Sequence, residues 1–150
     1  MWRDRLKTIS DEMKEYEECI NHGVSKSEEI KFCDVVQSTF KGHLPDDYLA
    51  FLETVNGLDF NGFVIYGVDQ QLLEHECNQV VSGFIELNEI WRESEWDREL
   101  LFLGESNISW YAYCTEDKRY YEMDNPSGRE MNVFDFFDDF MDKILSDSLL

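Results

Sequence analysis

An α+β fold, with a mostly antiparallel central sheet flanked by N-terminal helices and a C-terminal helix, is what this 150-residue sequence predicts. Three observations carry that expectation. Apolar residues recur at helical spacing through the first third of the chain. Two-residue alternation punctuated by turn residues occupies the middle. A last helical stripe closes the sequence, and this order of elements argues against a doubly wound parallel sheet.

The elements follow in order. Trp2, Leu6, Ile9, Met13, Tyr16 and Ile20 form one stripe of an amphipathic helix that closes near Gly23. Ser25 and Glu28 make a capping box, the hydroxyl accepting from the Glu28 amide while the carboxylate reaches back. A second helix follows with Ile30, Cys33, Val36 and Phe40 inward, and Gly42 suits its end. In Leu44-Pro45-Asp46-Asp47-Tyr48, proline is pre-set for a first helical turn and the two carboxylates favour the positive end of a helix dipole. Tyr48, Phe51, Leu52 and Val55 are the apolar face of that short helix, and Asn56-Gly57 ends it.

Asn61-Gly62 begins a turn into the compact strand Phe63-Val64-Ile65-Tyr66-Gly67. A single helical turn is expected over residues 70–73 and a longer helix over residues 81–96. Residues 100–103 are a short apolar strand ended by Gly104. From Ile108 to Cys114, Ile108, Trp110, Ala112 and Cys114 alternate with Ser109, Tyr111 and Tyr113. A turn over residues 115–118 and renewed alternation over 119–124 make an antiparallel hairpin. Asn125-Pro126-Ser127-Gly128 is a turn. The last helix is expected over residues 133–146, with Val133, Phe137, Phe140, Met141 and Ile144 inward and Asp135, Asp138, Asp139 and Asp142 toward water. No repeat or linker interrupts the chain, so one domain over residues 1–150 is expected.

The charge narrows the partners. Asp and Glu number 33 against 13 Lys and Arg, a formal net charge of −20. Such a surface repels nucleic acid and anionic membranes and attracts basic proteins. With 15% aromatic residues the chain is no disordered acidic tail. Cys19, Cys33, Cys77 and Cys114 lie far apart without a Cys-x-x-Cys pair, and read as buried thiols of a cytoplasmic protein. The N-terminal residues carry no apolar run behind their charges, so no secretory signal is expected.

Familiar chemistry is missing. His75-Glu76-Cys77-Asn78-Gln79 opens like a zinc-protease helix but has glutamine where the second histidine must stand. His22, His43 and His75 are scattered and read as surface or loop residues. No glycine-rich phosphate loop is present. Asp138 and Asp142 share a helix face, which reads as a solvated face in preference to a cation site. Asp59-Phe60-Asn61-Gly62 echoes a calcium loop without its remaining ligand spacing. No catalytic residue, metal ligand or cofactor is therefore assigned. The aromatic hairpin is the candidate surface. Alternation sends half its rings to the core and half outward; packing of the whole cluster in the core is the plainer reading, and beside it stands the reading that exposed tyrosines among acids make protein-binding anchors. Tyr111, Tyr113 and Tyr121 are the candidate anchors, and Glu116, Asp117, Glu122 and Asp124 the candidate charged rim.

The run Leu44-Pro45-Asp46-Asp47-Tyr48, Phe51-Leu52, Asn56-Gly57 and Ile65-Tyr66-Gly67 resembles the signature of the SUKH superfamily, which holds bacterial immunity proteins and the cell-wall-assembly regulator. Leu101-Phe102-Leu103-Gly104-Glu105-Ser106, Ile108-Ser109-Trp110-Tyr111, Asp124-Asn125-Pro126-Ser127-Gly128 and the acidic last helix are similar to its YrhA-like branch. The resemblance implies a single α+β domain without catalysis that binds and neutralises a protein toxin, often a nuclease. Two other readings stand beside it: a general interaction or regulatory module without a toxin partner, and an enzyme with an unrecognised carboxylate site. Oligomeric state is not legible in the chain.

Overall fold

In the computed structural model, which describes residues 1–94 and 98–150, the helical front half is built from three helices. These are α1 (Trp2–Glu15), α2 (Lys26–Phe40) and α3 (Asp46–Thr54). A hairpin of β1 (Leu58–Phe60) and β2 (Phe63–Ile65) follows, then a 3-10 turn (Gln70–Leu72) and α4 (Phe84–Arg92). Next come β3 (Leu100–Glu105), β4 (Ser109–Cys114), β5 (Tyr120–Asp124) and β6 (Glu130–Phe134), and α5 (Phe137–Ser148) closes the chain. The six strands form one sheet in chain order, each antiparallel to the next. The α+β architecture read from the sequence is the one observed.

Local chemistry explains most boundaries. The Ser25 Oγ accepts from the Glu28 amide at 3.1 Å, and the Glu28 carboxylate accepts from the Ser25 amide at 2.7 Å. That carboxylate also takes the Glu74 amide at 2.7 Å, which ties α2 to the later loop. α3 starts after Pro45, and Gly57 lies beyond its end with φ +75°. A Cβ on Gly57 would come within 2.8 Å of Val81 and 3.0 Å of the Gly67 nitrogen, so glycine is required for space as well as backbone.

Several expectations shift. α1 stops at Glu15, because Glu17 turns left-handed at φ 61°, leaving Tyr16 exposed although it continues the stripe. In α2, Phe32 is buried while Ile30 is exposed, and Lys41 instead of Gly42 takes the left-handed cap. The helix expected over 81–96 is the shorter α4; Trp96 lies outside the described residues. β3 runs through Gly104 to Glu105 with an irregularity between Phe102 and Gly104. Val133 belongs to β6, and α5 starts four residues later.

The core sits where α5 crosses the sheet. Phe140 stacks on Tyr120 at 5.0 Å and meets Tyr111 edge-on at 6.1 Å. Phe137, which also meets Tyr120 at 5.7 Å, packs with Phe51 against Trp2. α1 is further tied to α5 by the Trp2 indole donating to Asp138 and Arg5 donating to Asp142, both at 3.1 Å. These two aspartates bind α1 and do not simply face water. On the opposite sheet face, α4 lays Trp91 on Phe102 at 3.9 Å.

Side-chain amides complete the backbone where strands end. Asn88 donates to the Phe102 carbonyl and accepts its amide, both at 2.8 Å. Gln79 does the same on the outer edge of β1: its Nε2 donates to the Asp59 carbonyl and its Oε1 accepts the Asp59 amide, both at 3.1 Å. A glutamine side chain thus stands where a further strand would pair.

Candidate interaction surface

Both faces of the β4–β5 hairpin are covered near its middle, and that decides the fate of the residues read from the sequence. Tyr111 is buried against Phe140, its hydroxyl 3.3 Å from the Ser106 hydroxyl. Burial, with the nearby Glu122 charge adding to it, pushes the Tyr111 phenol up to about 12. Tyr113 is buried against Tyr120, ring centroids 5.1 Å apart. Glu122 is only 2% exposed. These three side chains are thus withdrawn from the surface on which they were expected as anchors and rim. The physical reason is that α5 covers the very face that alternation assigned to Tyr111 and Tyr113.

Glu122 instead centres a polar network that fastens α5 to the sheet. Its carboxylate accepts from the Ser109 hydroxyl at 2.7 Å and from the Asn132 amide at 2.8 Å, with the Lys143 ammonium 3.7 Å away. Lys143 also donates to Asp147 one turn on. Ser109 and Asn132 stand opposite Asp124 and Glu122 in the register, so the pleat brings them onto one face.

The remaining candidates are exposed or half-exposed, at two ends of β5. At the turn end, Glu116 is exposed and Asp117 accepts from the Tyr121 hydroxyl and, at 2.9 Å, from the Arg119 amide. Burial pushes the Asp117 carboxyl up, but these hydrogen bonds outweigh it and the net shift is down. The same bond to Asp117 raises the Tyr121 phenol to about 12. Arg119 turns away to pair with Asp135 at 2.9 Å. At the other end Asp124 accepts from the Ser127 hydroxyl and amide at 2.6 and 3.1 Å, which lowers its pKa and closes the turn. Tyr121, Glu116 and Asp117 therefore sit together, and Asp124 stands about 10 Å or more away along the strand.

Acidity is spread over the molecule. Glu28, Glu29, Asp69 and Glu122 are the buried acids among the described residues; the other described carboxylates are partly or fully exposed. An acid-lined cleft of about 460 Å³ opens between α1 and β1, bordered by Glu12, Glu18, Asp59 and the exposed Tyr16. Burial and the Glu18 charge raise the Asp59 carboxyl.

His22, His75 and Cys77 line a small cavity of about 20 Å³. Among the described residues, no three His, Cys, Asp or Glu side chains converge to hold a metal ion. Of the thiols expected to be buried, Cys19 is exposed and Cys33, Cys77 and Cys114 are half-buried; all four are free. No described helix is long and apolar enough to cross a membrane. Comparison of the chain with protein-family models and with curated proteins finds no match to either.

Proposed function

We propose that this chain is a non-catalytic, cytoplasmic immunity protein of the SUKH type, which neutralises a basic protein toxin, most readily a nuclease, by covering its active cleft. The observation that carries the reading is the excess of 33 acidic over 13 basic residues, with nearly all described carboxylates open to solvent. A nuclease cleft is positive because it binds phosphates, so a negative protein surface is attracted to it and competes with substrate. Long-range attraction speeds the encounter, and a few desolvated contacts hold the complex. The sequence resemblance over Leu44 to Gly67 supports the immunity role, and the α+β sheet agrees with the architecture that resemblance implies.

The test is co-expression with the adjacent reading frames, followed by purification at low ionic strength and a survival assay. The expected result is a co-purifying basic protein, released by about 0.5 M salt as screening shortens the reach of the charges, together with rescue of cells from that protein. A regulatory module would bind without rescue. Recovery of only polyanions or metabolites would refute the reading.

A further inference from the structure

The two edges of the sheet are finished differently. The outer edge of β1 is closed by the Gln79 side chain, which pairs with both backbone groups of Asp59. β6 pairs with β5 on one side, and among the described residues no strand or side chain occupies the other. Ladder alternation fixes which groups face out. The Asp124 amide donates to the Arg129 carbonyl, so Asp124, Glu122 and Tyr120 direct their backbone groups toward β6. Their partners Asn132 and Phe134 direct theirs toward β5, and Val133 between them points its N–H and C=O outward. Met131 is the extra residue of a bulge, between the Glu122–Asn132 and Met123–Glu130 pairs, and it is 45% exposed.

The surroundings are acidic and partly apolar. Glu130 is exposed at the start of the strand and Asp135 and the apolar Phe136 at its end. Asp139 is exposed on α5, which lies against β6 through Phe140 on Phe134, ring centroids 5.8 Å apart. Native proteins commonly guard an open edge with lysine or proline. β6 has neither. A second copy of the same chain would bring another charge of −20 to this edge and is opposed by it.

The geometry points to the outer edge of β6 as a docking strand for an extended, lysine- or arginine-bearing segment of a partner protein, which adds to the sheet as a seventh strand. Backbone hydrogen bonds at Val133 set the register, Met131 and Phe136 receive apolar side chains, and Glu130 and Asp139 receive the cations. This rests on the proposed capture of a basic protein and names where and in what form that protein is held.

The test uses the full chain, isotope-labelled, with a capped Lys-Val-Lys-Val-Lys-Val-Lys peptide as probe. Two further peptides are N-methylated at the valines or at the lysines, and an acidic analogue replaces lysine by glutamate. Saturating peptide is expected to slow hydrogen exchange of the Val133 amide, and at least one N-methylated peptide to bind about tenfold more weakly, as loss of one or two backbone hydrogen bonds dictates. Glu130→Lys with Asp139→Lys, both on exposed side chains, weakens the unmethylated peptide severalfold. If all cationic peptides bind alike and the Val133 amide exchanges freely, capture is by charge alone; the docking strand is refuted while the proposed function stands. If no cationic peptide binds at low salt, both fall. Concentration-dependent dimers of the free protein that protect Val133 would make the occupant a second copy and overturn the inference.

Discussion

Cutting Glu122 back to alanine removes the acceptor on which Ser109, Asn132 and Lys143 converge, and it does so at a site that is 2% exposed. A hydrogen bond to a buried carboxylate contributes about 1.5–3 kcal/mol, and stranding the fully buried Ser109 hydroxyl adds a desolvation cost, whereas the exposed Asn132 amide returns to water. The Lys143 contribution is discounted to below about 1 kcal/mol, because its side chain is 40% exposed and keeps Asp147. Adding the cavity left by the side chain, Glu122→Ala is expected to destabilise by about 3–5 kcal/mol. Glu122→Gln keeps the shape and one carbonyl oxygen for Asn132 and Lys143. Its new amide meets the Ser109 hydroxyl, which can rotate to accept. It is expected to cost only about 1–2 kcal/mol. Urea unfolding at neutral pH reads both, and the difference between the variants corresponds to roughly 4–8 °C in Tm for a chain of this size. Alanine and glutamine variants within about 0.5 kcal/mol of each other would refute the claim that this network is a buried fastening.

Asp69 serves as a remote cap for α4, accepting from the Ile85 and Glu86 amides at 2.8 and 3.0 Å beside a glycine N-cap with no side chain of its own. Asp69→Ala is expected to cost about 1–2 kcal/mol in urea unfolding. Burial raises the Asp69 carboxyl above its usual 3.8 in spite of these amides, so folding favours its protonated form. The part of its contribution that depends on protonation is therefore full below pH 3.8 and is lost as pH rises through the raised value, while the cap on the Ile85 and Glu86 amides persists; Asp69→Asn should flatten that part of the stability–pH curve, and an unchanged curve would count against it. Gln79→Ala uncovers the β1 edge and is expected to increase self-association by light scattering in about 0.5 M NaCl, where the repulsion between copies is screened, while Gln79→Glu keeps one acceptor and gives an intermediate result. The net charge of −20 strains the folded state, so Tm is expected to rise by a few degrees from about 0.01 to 0.5 M NaCl as the Debye length shrinks; a flat response would refute self-repulsion.

The sequence made some elements plain and concealed others for identifiable reasons. The Ser25–Glu28 capping box and the β4–β5 hairpin rest on local chemistry and appear where that chemistry puts them, while at α3 Pro45 stands just before the first turn as N-cap and the extended Val55, two residues before Gly57, ends the helix. β1 is three residues long, too short for alternation to show. β6 ends in Val133 and Phe134, whose spacing to Phe137 and Phe140 continues a helical period, so the strand hides inside the stripe of α5. Phe32 lost its place to Ile30 because two adjacent stripes of α2 fit the same period and only packing chooses between them. At the candidate surface, alternation says that neighbouring residues face opposite sides but not which side is covered. Here α5 covers one face and α4 part of the other, so Tyr111, Tyr113 and Glu122 are core while Tyr121 and Asp117 reach solvent. Asn88 carried a readable sign, an amide amid Phe84, Ile85, Leu87 and Trp91. Glu122 in an alternating strand carried none until Ser109, Asn132 and Lys143 were seen around it.

The Gln79 seal has a consequence for assembly. A sheet with two free margins can recruit neighbours without limit, whereas one blind margin ends the series after a single addition. Edge-on recruitment here therefore has a stoichiometry of one, and the protein cannot seed a fibre by that route however crowded its surroundings become.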